Sequence, residues 1–436
     1  MRIAELFDLV TQGSTGLAFE AYDGSRVGPL DAPATVEVRS PRAVRYLSQA
    51  SNDLGLARAY VSGGLEVRGE LCEALRRLWE VGDGTVPWRA RVAALRTIGP
   101  RLLRPAPAPP EEVRPRGRRH SKRRDATAVS HHYDLSNRFY RCLLGPTMAY
   151  TCAVYPHAEA TLEEAQCEKF DLVCRKLGLR PGMRLLDVGC GWGGMVVHAA
   201  RRYGVEALGV TLSGEQAEWG RREIEKARLS DRAEIRHLDY RDVPERDFDA
   251  ISSIGLTEHI GRAQMPAYFT FLRSRLRPRG RLLNHCITRP DNVYPSFEHG
   301  GFIDRYVFPD GELSGPGRMI SAMTDAGFEL RHEENFREHY ARTLAAWLGN
   351  LEAHWQEAVH EVGEGRARVW RLYLAGSQVS FERRDALELH QVLGVRTEGG
   401  DAGMPLRNDW EGTRVARPNA AASDAEPAQA AGASRL

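Results

Sequence analysis

The run Leu185-Leu186-Asp187-Val188-Gly189-Cys190-Gly191-Trp192-Gly193-Gly194 constrains this chain more than any other segment. An apolar stretch ends in glycines, and Met195–Arg202 continues with the spacing of an amphipathic helix. The pattern reads as strand, tight turn and helix. Glycines permit the turn and let backbone N–H groups approach a ligand at the helix N-terminus. The spacing also satisfies G-x-G-x-x-G, which alone is a weak signal, so the surroundings must decide what the turn binds.

Those surroundings favour S-adenosylmethionine (SAM) over NAD. Asp187 sits just before the first glycine, at the mouth of the strand, where it can meet the cationic end of a methionine moiety. The next strand-like segment, Glu206–Ser213, ends without the acidic residue that NAD enzymes place on the ribose, and offers Thr211 and Gln216 instead. Farther on, Asp239 and Tyr240 provide a carboxylate and a ring for a nucleoside, and Phe248–Ile254 reads as a fourth strand. From about 128 to 395 helical and strand-like patterns alternate, the signature of a doubly wound α/β sheet. The series resembles the class I SAM-dependent methyltransferases, with a Rossmann-like sheet.

The 436 residues leave room for more than this domain. Residues 1–98 hold an opening helix, a strand at Thr35–Val38, a helix near Arg42–Gln49, the passage Ala59-Tyr60-Val61-Ser62-Gly63-Gly64 and a closing helix at Glu70–Glu80. They read as a smaller α+β binding or assembly domain. Residues 99–127 are rich in proline and arginine and are expected to form an extended, basic linker. Solvation alone accounts for such a charge run; attraction to anionic lipid headgroups is the functional reading. Residues 396–436 end in a low-complexity, alanine-rich tail expected to be disordered. No run reaches the ~18–20 apolar residues of a membrane span. The first residues lack the features of a secretory signal, so a cytoplasmic enzyme is expected. The formal charge of +2 names no partner, and no nucleic-acid module follows the basic segment, so nucleic acid is not expected. Only Lys122, Lys169, Lys176 and Lys226 are lysines; every other basic side chain apart from histidine is arginine, which codon bias explains most simply. The seven cysteines are scattered without C-x-x-C, so free thiols and no metal site are expected.

Five further segments narrow the family: His132–Asn137, Tyr150-Thr151-Cys152-Ala153, Glu258-His259-Ile260-Gly261, His285-Cys286-Ile287-Thr288 and His339–Leu344. With the glycine loop, they resemble the cyclopropane-fatty-acyl-phospholipid synthase family, which includes the mycolic acid cyclopropane synthases. The resemblance spans 128–395 and extends more loosely over 1–98. It implies addition of a methylene from SAM across a cis double bond of a phospholipid acyl chain, with S-adenosylhomocysteine as co-product. It assigns SAM to Tyr150, Thr151, Asp187, Gly189, Gly191, Gly193, Thr211, Gln216, Asp239 and Tyr240. It also implies a bound bicarbonate ion as base, held by Cys152, Glu258, His285, the Ile287 backbone and Tyr340. Glu258 in such a site needs a partner, and His285 is the natural one to name. Each of these has a plainer reading: Cys152 as a small buried hydrophobe, His285 as a satisfied core histidine, Glu258 as a helix-start carboxylate, Tyr340 as packing. Phe302, Tyr306 and Phe308 read as core or as walls of an acyl tunnel. Where the mycolic acid enzymes carry a cysteine, this chain has Ser377. The resemblance further implies a homodimer working at the inner face of a membrane. Rival outcomes are a methylene-branched product from the same cation, or a small-molecule N- or C-methyltransferase.

Overall fold

Ala34–Val38 alternates buried and half-buried side chains, as a strand with one face on a core must. It belongs to the N-terminal part of the structure, a computed structural model that describes residues 2–11, 13–49, 53–80, 106–113, 135–293 and 300–410, with isolated positions between 92 and 124. The tail from 411, the basic residues of 114–123 and His132-Tyr133-Asp134 lie outside the described residues. The N-terminal elements run α1 (Ile3–Thr11), β1 (Ala18–Ala21), β2 (Arg26–Val27), β3 (Ala34–Val38), α2 (Pro41–Gln49), α3 (Asp53–Val61), β4 (Leu65–Gly69) and α4 (Leu71–Glu80). They form a four-stranded sheet in the order β2-β1-β3-β4, with β1 and β3 parallel.

The larger sheet follows. Its elements are α5 (Asn137–Leu144), α6 (Leu162–Leu177), β5 (Arg184–Val188), α7 (Gly194–Tyr203), β6 (Glu206–Thr211), α8 (Gly214–Lys226), β7 (Ala233–His237) and β8 (Phe248–Ile254). Then come α9 (Met265–Arg275), β9 (Leu276–Thr288), α10 (Pro316–Asp325), β10 (Glu329–Asn335), α11 (Arg337–Ala353), α12 (Trp355–Val362), α13 (Glu364–Glu382) and β11 (Glu388–Val395). The strand order is β10-β11-β9-β8-β5-β6-β7, and β11 runs antiparallel to both neighbours. Because helices cover both faces, β5 and β8 are buried nearly throughout, and Leu186, Val188, Ile251 and Leu282 join Phe269, Leu272 and Met323 in one core. The chain reverses its winding between β5 and β8, and a crevice opens at the carboxyl ends of strands on either side of such a point. Capping residues fix the helix starts: Thr161 and Glu164 close a reciprocal box at α6, and Ser213 caps α8.

Residues 1–402 form one compact unit. The small sheet is fastened to α13 by Arg368, whose guanidinium donates to the Tyr60 and Leu65 carbonyls at 2.7 and 2.9 Å and to Glu66 Oε2 at 2.8 Å. It lies over the Tyr60 ring at 4.4 Å. The described part of the connector, 106–113, is not a free spacer. Glu112 takes a two-pronged ion pair from Arg58 at 2.7 and 2.9 Å, and the Val113 amide donates to the Arg305 carbonyl at 2.8 Å. Arg124, the last cation of the basic run, is folded onto Asp310 at 2.5 and 2.7 Å rather than displayed to a surface.

Removing Arg368 takes a charged donor from two carbonyls and a carboxylate at once, although the Gly63 N–H still reaches the Tyr60 carbonyl at 3.0 Å and Arg39 still reaches Glu66 at 3.4 Å. Arg368→Ala is expected to cost about 3–5 kcal/mol in chemical denaturation. Arg368→Lys recovers little of it, because an ammonium cannot reproduce the fork. A loss below about 1 kcal/mol in the alanine variant would show that the small sheet is not held this way.

Candidate active site

Beyond the carboxyl ends of β5, β6 and β8 lies a cavity of about 340 Å³. Eight of the ten residues assigned to SAM line it: Tyr150, Thr151, Asp187, Gly189, Gly191, Thr211, Gln216 and Tyr240. Its polar end is made by Thr151, Lys169 and Asp187. Asp187 is fully enclosed, accepts from Ser252 Oγ at 2.6 Å, and is pushed up to about 7 by burial against the opposing pull of Ser252 and Lys169. Lys169 donates to Thr151 Oγ1 at 2.7 Å, and burial brings its ammonium down to about 7. Thr211 donates to Gln216 Oε1 at 2.7 Å on the far side. Tyr240, Tyr268 and Phe271, edge to face at 5.1 and 5.6 Å, form an apolar wall. Trp192 is pinned by its indole N–H to Asn137 Oδ1 at 2.7 Å and packs on Tyr140, which fixes the glycine turn against α5.

Gly193 and Asp239 stand apart from the other eight. Gly193 starts α7 at φ +85°, and a Cβ there would meet Ile235 Cδ1 at 2.3 Å, so the residue is required by close packing of helix on sheet. Asp239 caps the turn at 240–242, and both carboxylate oxygens are held by Arg241 at 2.5–2.9 Å. It does not line the cavity.

Of the five residues assigned to the base site, Cys152 and Glu258 are chain neighbours of Thr151 and His259, which line the cavity. A series of contacts, most of them through the backbone, links Glu258, Ile287, Tyr340 and Cys152. Glu258 Oε1 accepts from the Ile287 amide at 2.8 Å. Ile287 pairs with Leu389 across the β9–β11 ladder, and the Leu389 carbonyl accepts from the Phe336 amide at 2.7 Å. The Phe336 carbonyl accepts from the Tyr340 amide at 3.0 Å and lies 3.9 Å from Cys152 Sγ. The structure corrects one expectation: Glu258 is not hydrogen-bonded to His285. Glu258 is partnered by the Ile287 backbone, while His285 Nδ1 faces Gln391 Nε2 at 3.1 Å. The other atom of each, Glu258 Oε2 and His285 Nε2, is buried and without a hydrogen-bond partner among the described residues.

Burial sets the charge states. Glu258 is pushed up to about 7, with the Ile287 N–H opposing. Burial and the nearby Lys169 and Lys176 hold His285 well below its ordinary value, so it is a neutral imidazole. The Cys152 thiol is driven far up and stays protonated, which makes it a weak donor and not a nucleophile. Of the aromatic candidates, Phe308 packs on His259 at 5.5 Å and on Tyr373 at 5.8 Å, beside the cavity, whereas Phe302 and Tyr306 pack on each other. Sequence reasoning missed Lys169 and Lys176. Their signal was their rarity, since two of four lysines in an arginine-rich chain prove to be buried.

A carboxyl whose folded pKa is raised from 4.5 to about 7 favours the fold only at low pH; that contribution is lost as pH rises through this window. Ligand-free Glu258→Gln is therefore expected to be more stable than the parent at pH 8, by at most about 3 kcal/mol, with the gap closing towards pH 5. Denaturant titrations at both pH values check this, and a variant less stable at pH 8 contradicts the assigned burial.

Residues 120–392 match the family described as mycolic acid cyclopropane synthetase. The chain is 54% identical over 425 residues to a Mycobacterium tuberculosis protein named "Probable fatty acid methyltransferase", covering 94% of this chain and 99% of that one. It is 33% identical over 370 residues to the cyclopropane-fatty-acyl-phospholipid synthase of Escherichia coli K12, covering 83% and 88%. The cyclopropane synthase MmaA2 from Mycobacterium tuberculosis superposes with a TM-score of 0.58 at 32% identity, covering 62% of this chain and 98% of that one. A mycolic acid cyclopropane synthase, CmaA1, solved with S-adenosylhomocysteine and CTAB, gives the same TM-score at 31% identity over 62% and 98%. With a cavity at the switch point of a seven-stranded sheet and these relatives on both criteria, the chain belongs to the mycolic acid cyclopropane synthetase family of class I SAM-dependent methyltransferases.

Proposed function

We propose that this enzyme adds a methylene from SAM across a cis double bond of a phospholipid-bound acyl chain, giving a cyclopropane ring and S-adenosylhomocysteine. The observation that carries the proposal is that Glu258 and His285 each keep a buried polar atom, Oε2 and Nε2, with no partner among the described residues. Buried polar groups are normally satisfied, so such a pair is consistent with a small polar occupant. Bicarbonate fits the donor set: a carboxyl near neutrality, a neutral imidazole and a protonated thiol can together hold a hydrogen-bonding anion. Glu258, His285, Cys152 and Tyr340 would hold it, with the Ile287 backbone orienting Glu258. When bound there, bicarbonate supplies a base for the proton lost from the added methyl group as the ring closes.

This chain's own residues do the rest. Asp187 meets the cationic end of SAM, and the arriving charge favours the ionised carboxylate. Thr151 and Lys169 offer donors to the cofactor's carboxylate. Tyr150 packs on Trp347 and Trp370 at 5.3 and 5.6 Å, so aromatic faces surround the route from the cavity towards Tyr340. Such faces exclude water and stabilise a carbocation through their quadrupoles. An isolated alkene is a weak nucleophile, and alignment with the sulfonium methyl in a dry site supplies what it lacks.

No helix among the described residues is long and apolar enough to cross a membrane. We propose that the enzyme reaches its lipid from the bilayer surface, with residues 1–98 as the lipid-presenting and dimer-forming domain, 99–127 as connector and 128–395 as the catalytic domain. A second reading is supported by the relative at 54% identity, which is named a fatty acid methyltransferase. There the same cation loses a different proton and leaves a branched chain that keeps an alkene.

Product analysis separates these readings. Incubation with SAM and vesicles of a cis-monounsaturated phospholipid is expected to give acyl chains one CH₂ heavier without an alkene, by mass spectrometry after alkene derivatisation. Retention of the alkene favours the branched product, and no mass gain points to a soluble acceptor. Glu258→Gln and Cys152→Ser are expected to lower kcat, the former by about 100-fold, with the KM for SAM nearly unchanged. Full activity in both variants removes the base site from this location.

A further inference from the structure

Three adjacent strands bring Glu334, Gln391 and His285 into one row. Glu334 of β10 pairs directly with Gln391 of β11, and Gln391 pairs directly with His285 of β9. Directly opposed residues present their side chains on the same face of a sheet. Lys176, from the last turn of α6, closes over this row with its side chain fully buried. Its ammonium donates to Glu334 Oε2 at 2.5 Å and to Gln391 Oε1 at 2.7 Å. Gln391 itself is fully buried, and its Nε2 lies 3.1 Å from His285 Nδ1.

The chemistry of these groups allows one assignment of hydrogens. An ammonium only donates, so the atom of Gln391 facing Lys176 is the carbonyl oxygen. The amide nitrogen must then face His285, and an amide NH₂ only donates. His285 Nδ1 is therefore the acceptor, and in a neutral imidazole the hydrogen sits on Nε2. Burial lowers the Lys176 ammonium and Glu334 opposes that; Glu334 is itself held at about 2 by His332 and Lys176 against its own burial. Nε2 is the ring atom that has no partner among the described residues.

We propose that Gln391, oriented by Lys176 and Glu334, is a positioning residue that locks His285 as the Nε2–H tautomer, so that the imidazole presents a donor to the anion bound beside Glu258. The proposal rests on the reading of that site as an anion-binding base site. A donor at Nε2 complements an anion's oxygen. The opposite tautomer would aim a lone pair at it. The row explains why the bond is made by an amide: a glutamate at 391 would also accept from Lys176, but it would accept from Nδ1–H as well and so invert the ring. An apolar side chain would leave both tautomers accessible and take from Lys176 one of its two acceptors.

The test reads the ring directly. In protein labelled with ¹⁵N-histidine, two-bond ¹H–¹⁵N correlation spectra distinguish the two tautomers of His285, identified by loss of its signals in His285→Gln. The expected result for the parent is an Nε2–H ring that does not titrate near neutral pH. An Nδ1–H ring, or exchange between tautomers, overturns the proposal without need of any variant. Gln391→Glu is expected to shift the ring to Nδ1–H and to lower kcat at least tenfold, raising the bicarbonate concentration needed for half-maximal rate, with the KM for SAM held within about twofold. Lys176→Met, which frees the amide to rotate, is expected to give mixed tautomers and an intermediate rate. Tautomers that change as described with no change in turnover would leave the hydrogen-bond assignment standing, but would overturn the role given to His285 in the reaction.

Discussion

The hydrogen bond from the Ile287 amide to Glu258 joins the turn after β8 to the end of β9 in a place closed to water. A carboxyl group costs several kcal/mol to bury, and one backbone donor offsets only part of that cost. Everything around it serves to keep the group there. The β9–β11 ladder holds Ile287 in register, the Phe336 amide ties α11 to the same ladder, and the 3₁₀ turn at 257–259 delivers the side chain. Glu258 Oε2 and His285 Nε2 each remain buried without a hydrogen-bond partner among the described residues. Unsatisfied buried polar atoms cost stability, and that cost is what the proposed anion site accounts for.

The cavity and the residues proposed for the base differ in character. The pocket opens at the switch point between β5 and β8 and has charged groups at one end, Asp187 and Lys169, both brought near neutrality by burial. Their charge responds to a zwitterionic ligand. The proposed base site holds neutral groups, the protonated Cys152 thiol and the neutral His285 ring. Thr151 and His259 line the cavity, while their chain neighbours Cys152 and Glu258, proposed for the base, do not. The small N-terminal sheet bears on this arrangement through α13. Arg368 anchors that helix to β4, and Tyr373 on the same helix places its hydroxyl 3.2 Å from that of Tyr150.

The doubly wound sheet and the glycine turn were legible because both are local patterns: an apolar strand, special backbone angles, then helical spacing. Eight of the ten residues proposed for the cofactor line the cavity at the strand ends. Asp239 reads in the sequence as a carboxylate for the adenine; in the structure both its oxygens engage Arg241, two residues along, a neighbour visible in the sequence itself. Gly193 was read as part of a binding loop, and the close approach of Ile235 shows a packing demand that spacing cannot reveal. The pairing of Glu258 with His285 failed for a different reason. Which groups meet inside a sheet depends on register, and Gln391 reaches His285 only because β11 returns antiparallel from more than a hundred residues away. Lysine rarity was present in the sequence as a sign of buried cations: an ammonium tolerates burial by shifting its pKa, which a guanidinium resists.

The central claim is that the polar atoms of Glu258 and His285 left without a partner among the described residues hold an anion on which turnover depends. The most direct measurement is the initial rate of SAM-dependent lipid modification in buffer stripped of carbon dioxide, with bicarbonate then added back. The account expects the rate to fall on stripping and to return in a saturable way with bicarbonate in the parent enzyme, with that dependence weakened in Glu258→Gln. A rate indifferent to bicarbonate, in parent and variant alike, would contradict it.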